Sequence, residues 1–129
     1  MGVTNPRSIE SDTVVASPAA AAETVVCEID GVTTRTADGE VQLDAGCQLT
    51  IGTSGTAVTL RIRRGSDITG VLVAAGGADT ATAGNTRNHL LHAIDRPGMV
   101  DGQGYVLTAQ VTGATAASTV QATALSALY

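Results

Sequence analysis

Aromatic side chains are nearly missing: among 129 residues there is no Trp, no Phe and only two Tyr. Any core must be filled by aliphatic side chains, each burying less area than a ring at roughly 25 cal/mol per Å2. A lone copy is therefore expected to be modestly stable and to gain from association. Lysine is absent too: all seven basic residues are Arg, against twelve Asp and Glu, for a net charge of −5. That sign excludes a phosphate-tracking surface, which needs a basic face that releases counterions, so protein partners are expected and nucleic acid is not. Cysteine is confined to Cys27 and Cys47, with no Cys-x-x-Cys or Cys-x-x-His spacing for a metal. Both fall on inward strand faces; a disulfide between them is the alternative, and the expectation is two buried, reduced thiols. Long apolar runs are also lacking. Val14-Val15-Ala16 follows Glu10 and Asp12 and soon meets Pro18, which fits neither a secretory signal nor a membrane span. Pro6 stands where a myristoylation signal wants Ser or Thr. The expectation is a soluble protein made in a cytoplasm, with no membrane partner.

What is present is strand pattern. In Thr56-Ala57-Val58-Thr59-Leu60-Arg61-Ile62-Arg63-Arg64, the apolar residues Val58, Leu60 and Ile62 alternate with Thr59, Arg61 and Arg63. A period of two reads as a strand with a core side and an outer side. Turn formers bound it, Ser54-Gly55 before and Gly65-Ser66-Asp67 after, and the core is expected to gather Val58, Leu60, Ile62, Leu49, Ile51, Leu107 and Val120. The length suits one core and not two.

Residues 1–22 show no periodicity, carry Pro6 and Pro18, and end in Ala-rich sequence, so they read as an extended N-terminal arm, docked on a neighbouring chain. Residues 23–129 read as the β domain. Val25, Cys27 and Ile29 share a face before a turn at Asp30-Gly31; a break is expected at Asp44-Ala45-Gly46, then Cys47, Leu49 and Ile51 inward. His89 to Ile94 and Tyr105 to Val111 are strands, Gly102-Gln103-Gly104 is a turn, and Thr119 to Leu128 is the final strand. Seven to nine short strands without helical period give an all-β, antiparallel β-sandwich of jelly-roll or immunoglobulin-like type.

Chemistry-bearing constellations do not assemble. No Ser lies in a Gly-x-Ser-x-Gly context, and no carboxylate pair joins a substrate signature. Asp67, Asp79, Asp95 and Asp101 lack EF-hand spacing, and His89 and His92 point to opposite faces of a strand. No enzyme activity, cofactor or metal is expected. Arg61 and Arg63, with Arg64 beside them, are the candidate partner-binding stripe, facing either local carboxylates or an acidic partner; Pro6, Arg7 and Ile9 are the candidate contacts of the arm. Leu72, Leu91, Val106 and Leu125 fall on outward positions, as if another subunit covered them.

The stretches Val41-Gln42-Leu43-Asp44-Ala45-Gly46-Cys47-Gln48-Leu49-Thr50-Ile51-Gly52, Thr56 to Gly65 with Thr69-Gly70, and Gly104 to Val111 with Ala124-Leu125-Ser126-Ala127 resemble small β-rich structural proteins of tailed bacteriophages. The resemblance implies a virion component, a decoration or minor capsid protein on the capsid surface, assembled in the host cytoplasm. Its partner would be the major capsid protein, and it would work as a homo-oligomer, a trimer being favoured. The alternatives are a phage tail or fibre module and a carbohydrate-binding or adhesion sandwich; the scarcity of aromatic rings disfavours sugar binding.

Overall fold

The computed structural model describes residues 7–9, 14–16, 22–50, 56–76, 79–81, 86–112 and 119–129. They form β1 (Arg7–Ile9), β2 (Val14–Ala16), β3 (Glu23–Thr34), β4 (Val41–Thr50), β5 (Thr56–Arg64), β6 (Leu72–Ala75), β7 (Asp79–Ala81), β8 (Thr86–Asp95), β9 (Val100–Thr112) and β10 (Thr119–Leu128). Strand β5 keeps its alternation: Val58, Leu60 and Ile62 are buried while Arg61 and Arg63 lie on the other side.

Every pairing is antiparallel, in two sheets. One runs β1-β10-β4-β8, with β2 also on β10; the other runs β3-β9-β5-β6, with β7 also on β5. Because β1 and β2 share the flank of β10, and β6 and β7 that of β5, each sheet has four lanes. The chain crosses between sheets at every step from β2 onward except β5 to β6 to β7, which stays in one sheet. The inward faces meet in one aliphatic cluster that includes Ile29, Val32, Leu43, Leu49, Leu60, Ile62, Leu107 and Leu125. Of the expected core, Ile51 and the side chain of Val120 lie outside the described residues.

Irregular ladders account for the departures from simple alternation. The β3–β9 register shifts between Val25 and Cys27, so Val26 and Cys27 turn inward together, and Val25 does not share their face. The expected turn at Asp30-Gly31 is a second irregularity inside one twelve-residue strand, with Gly31 at φ 79°, a backbone state cheap only for glycine. Gly102 at φ 71° likewise sits within β9 instead of ending it. Asp44-Ala45-Gly46 is no break, because β4 continues through it with Leu43, Ala45 and Cys47 buried. The expectation for Leu125 inverts: β10 slips against β4 between Ala122 and Ala124, and one extra residue sends every later side chain to the opposite face. Leu125 and Ala127 are consequently in the core.

The segment read as an arm is held by its own chain over its described parts. Arg7, Ser8 and Ile9 pair with Ala127, Ser126 and Leu125, and Val14, Val15 and Ala16 pair with Gln121, Val120 and Thr119. Backbone hydrogen bonding to β10 supplies the anchorage expected from a neighbour, and Pro6 lies outside the described residues.

Cys27 and Cys47 are free thiols in the core, one from each sheet. Burial pushes them up to about 11 and about 12, respectively. The thiolate is the nucleophile, so at pH 8 the folded protein should resist iodoacetamide, while protein unfolded in urea should take up two labels per chain; rapid labelling of the native form would contradict this burial. Leu60→Ala should cost about 2–5 kcal/mol in urea titrations through lost transfer energy and a residual cavity.

Candidate interaction surfaces

The arginine stripe on β5 is spent within its own sheet. Arg63 donates from Nε to Glu23 Oε2 at 2.6 Å and from Nη2 to Oε1 at 2.9 Å. Arg61 Nη1 donates to Gln110 Oε1 at 2.7 Å and reaches Glu23 Oε1 at 3.3 Å. Thr108 Oγ1 donates to Glu23 Oε2 at 2.8 Å. Glu23 opens β3 at the far edge from β5, so this carboxylate ties three lanes together across β9. Val106 and Thr108, in register with Arg63 and Arg61, are fully buried on what is formally the outer face, where long arginine stems beside them can exclude water. The Arg63 hydrogen bond, with help from Thr108, holds the Glu23 carboxyl below its usual range against the opposing effect of burial.

Arg64 turns to a different partner. It grips Asp95 in a bidentate pair, Nε to Oδ2 at 2.7 Å and Nη2 to Oδ1 at 2.6 Å, and Tyr105 Oη donates to the same Oδ2 at 2.7 Å. Asp95 closes β8 in one sheet while Arg64 and Tyr105 belong to the other, so the pair stitches the sandwich at one end. Burial raises the Asp95 carboxyl, but the bonds from Arg64 and Tyr105 outweigh it and leave the group below its usual range. Burial and the same carboxylate push the Tyr105 phenol up, so it remains a donor.

Three loops sit around this node. Arg64 N bonds Val71 O at 3.0 Å and Gly65 N bonds Gly104 O at 2.8 Å; Thr34 Oγ1 donates to Gly98 O and accepts from Val100 N at 3.1 Å. A Cβ on Gly70 would collide with the Arg64 carbonyl, so this turn closes only with glycine. Loops 35–40, 65–71 and 96–99 thus form a braced end that exposes Ile68, Val71 and Met99, beside a shallow depression of about 640 Å3 lined by Thr33, Thr34, Arg35, Met99, Val100 and Asp101.

The outer face of the β10-β4-β8 sheet has the opposite character. Its large exposed side chains are Leu90, Ile94 and Leu128, and His92 Nδ1 lies 2.7 Å from Asp44 Oδ1. His89 and His92 do occupy opposite faces, and among the described residues no three His, Cys, Asp or Glu side chains gather as a metal site. No helix among the described residues is long and apolar enough to cross a membrane.

Of the outward apolar residues expected to be covered by another subunit, Leu72 alone is exposed. Leu91 packs against the core, Val106 is fully buried in register with Arg63, and Leu125 points inward. The side chains of Arg7 and Ile9 lie outside the described residues. Sequence reasoning did not reach Glu23, Asp95 or Tyr105 as partners of the arginines; Glu23 and Asp95 signal only as charged residues at strand ends, and Tyr105 only as an inward residue within β9.

What this architecture defines is a class of fold, a doubly layered antiparallel sandwich with four lanes per sheet. No protein-family model matches the chain, and no curated protein matches it in sequence. Solved structures do match in fold. The capsid of infectious bursal disease virus, strain Gt, aligns with a TM-score of 0.66 at 9% identity over 98% of this chain. Strain Gx gives 0.63 at 12%, and the VP2 subviral particle of the same virus 0.62 at 13%, each again over 98%. The chain spans about a third of the length of those proteins, 32 to 34%. The expected tailed-phage origin finds no support in these structures.

Asp95 and Glu23 both sit below their usual range in the folded state. Their stabilisation is therefore complete above about pH 4, where the unfolded carboxyls are ionised, and is lost as pH falls through the lowered folded values. Thermal melts should be level from neutral pH to about 5 and decline below about 4. Asp95→Asn should cost about 3 kcal/mol at pH 7, since it strands Arg64, and should flatten the acid decline; an unchanged acid limb would remove Asp95 from this account.

Proposed function

We propose that this chain is a structural module of a virus particle. The observation that carries the reading is the winding: with β1 and β2 counted as one lane and β6 and β7 as another, lanes numbered along the chain run 1-8-3-6 in one sheet and 2-7-4-5 in the other, an order that supports a jelly-roll reading, and viral capsid proteins align with it over 98% of its length. The scarcity of aromatic platforms and the self-satisfied arginines give a small-molecule or sugar site little to build on. Its finer role is that of a decoration protein on the outside of the shell, bound to the major capsid protein. A module that binds only the assembled lattice stabilises it by its own binding free energy and needs no chemistry. The braced end with Ile68, Val71 and Met99 is the surface offered to the shell, because its loops are held by hydrogen bonds before binding and lose little freedom on docking.

One observation favours a second reading. The chain spans about a third of the capsid proteins it resembles, which suits an outer module of a larger coat polypeptide as well as a separate cement protein. Immunogold labelling with antibody against the purified chain should coat the surface of particles from producing cells. Label found only in the soluble fraction would end the virion reading. Denaturing gels of the same particles separate the two roles, since a cement protein runs as its own band and a coat module runs within a larger one.

A further inference from the structure

The exposed face of the β10-β4-β8 sheet is built like half of an interface. In register across β4 and β8, its outward positions read Gln42 with Ile94, Asp44 with His92, Gly46 with Leu90, Gln48 with Asn88, and Thr50 with Thr86. His92 Nδ1 lies 2.7 Å from Asp44 Oδ1, and the other side chains of these pairs are uncharged. The opposite outer face carries Glu23, Glu28, Arg61 and Arg63. In a chain of net charge −5, copies repel one another at most orientations and approach most easily where each is charge-poor.

Shape points to the same partner. Leu90 is 89% exposed, an isolated aliphatic knob. Next to it Gly46 has no side chain, leaving a depression of about 270 Å3 lined by Leu90, Leu91, His92, Asp44, Ala45 and Ser126. A knob and a hole side by side on one patch are self-complementary under a two-fold rotation, which seats each copy's knob in the other's hole. We infer that this face binds a second copy of the chain, sheet on sheet, with Leu90 of each copy seated over Gly46 of the other. Three strands of about ten residues cover roughly 33 by 14 Å, on the order of 450 Å2 per copy. That is below the roughly 800 Å2 per partner of a standard stable interface, so the contact is a weak, reversible dimer that gains strength only where many copies are held side by side. The inference does not rest on the virion reading, because it concerns the purified protein alone.

Sedimentation velocity from about 5 μM to about 1 mM tests it. The parent should dimerise reversibly within that range. Leu90→Glu should weaken association at least about tenfold with an unchanged circular dichroism spectrum, because a carboxylate would be forced into the partner's depression. Leu72→Glu, on the other sheet and 48% exposed, should dimerise as the parent does. A parent that stays monomeric at the top of the range overturns the proposal, as does a Leu90→Glu variant that associates normally, a Leu72→Glu variant that does not, or a trimer in place of a dimer.

Discussion

The sandwich depends most on one buried carboxylate. Asp95 is 6% exposed, and an uncompensated charge there would cost several kcal/mol. It persists because Arg64 meets both its oxygens and Tyr105 adds a third donor. Tyr105 is the largest fully buried side chain in a protein with no Phe or Trp. Its ring therefore fills the core while its hydroxyl satisfies the charge, and both roles require the same position at the seam of the sheets. Once the end of β8 is tied to β5 and β9, loops 65–71 and 96–99, which follow β5 and β8, have fixed starting points. Their exposed apolar tips are presented by a frame already ordered.

Legibility of the fold followed the regularity of each ladder. Strand β5 was readable because Val58, Leu60 and Ile62 alternate without interruption, whereas of β8, which pairs with β4 over ten residues without a shift, only His89 to Ile94 was read, because Thr86-Arg87-Asn88 is polar and looks like loop. Where a ladder slips, reading failed locally and predictably. Val26 and Leu125 sit on faces that a straight count of two assigns wrongly, because the extra residue in each bulge carries no distinctive side chain: the one in β10 falls in Ala122-Thr123-Ala124. Glycine misled in the other direction. Asp30-Gly31 and Gly102 are strong turn signals, yet here each spends its positive φ inside a long strand. The candidate surfaces were legible only by half, since the arginines are evident from alternation whereas Glu23 and Asp95 become their partners through pairings 31 to 40 residues away in the chain.

Charge is divided unevenly between the two outer faces, and the division has a physical logic. One sheet binds Arg61 and Arg63 to Glu23 and buries Val106 and Thr108 on its outer side. The other leaves Leu90, Ile94 and Leu128 in water around the Asp44–His92 hydrogen bond. Isolated exposed aliphatic side chains are common; three on one sheet face with few charges beside a glycine-floored depression are not explained by folding alone.

An aliphatic core sets the scale for what association can contribute. Few large side chains are buried, and much of the described core is Val, Ala and Cys, so intrinsic stability comes from many small burials and one polar tie. Such a domain gains proportionately more from each contact outside itself than a domain with an aromatic core would. A contact of on the order of 450 Å2 is negligible for two molecules meeting in dilute solution. The same contact repeated across an array, where neighbours are already positioned and their translational freedom has been lost, adds at each junction without that loss being incurred again. A core of many small side chains, a sheet face with few charges and a braced end with apolar tips are therefore the features of this chain on which contacts with neighbours would add most.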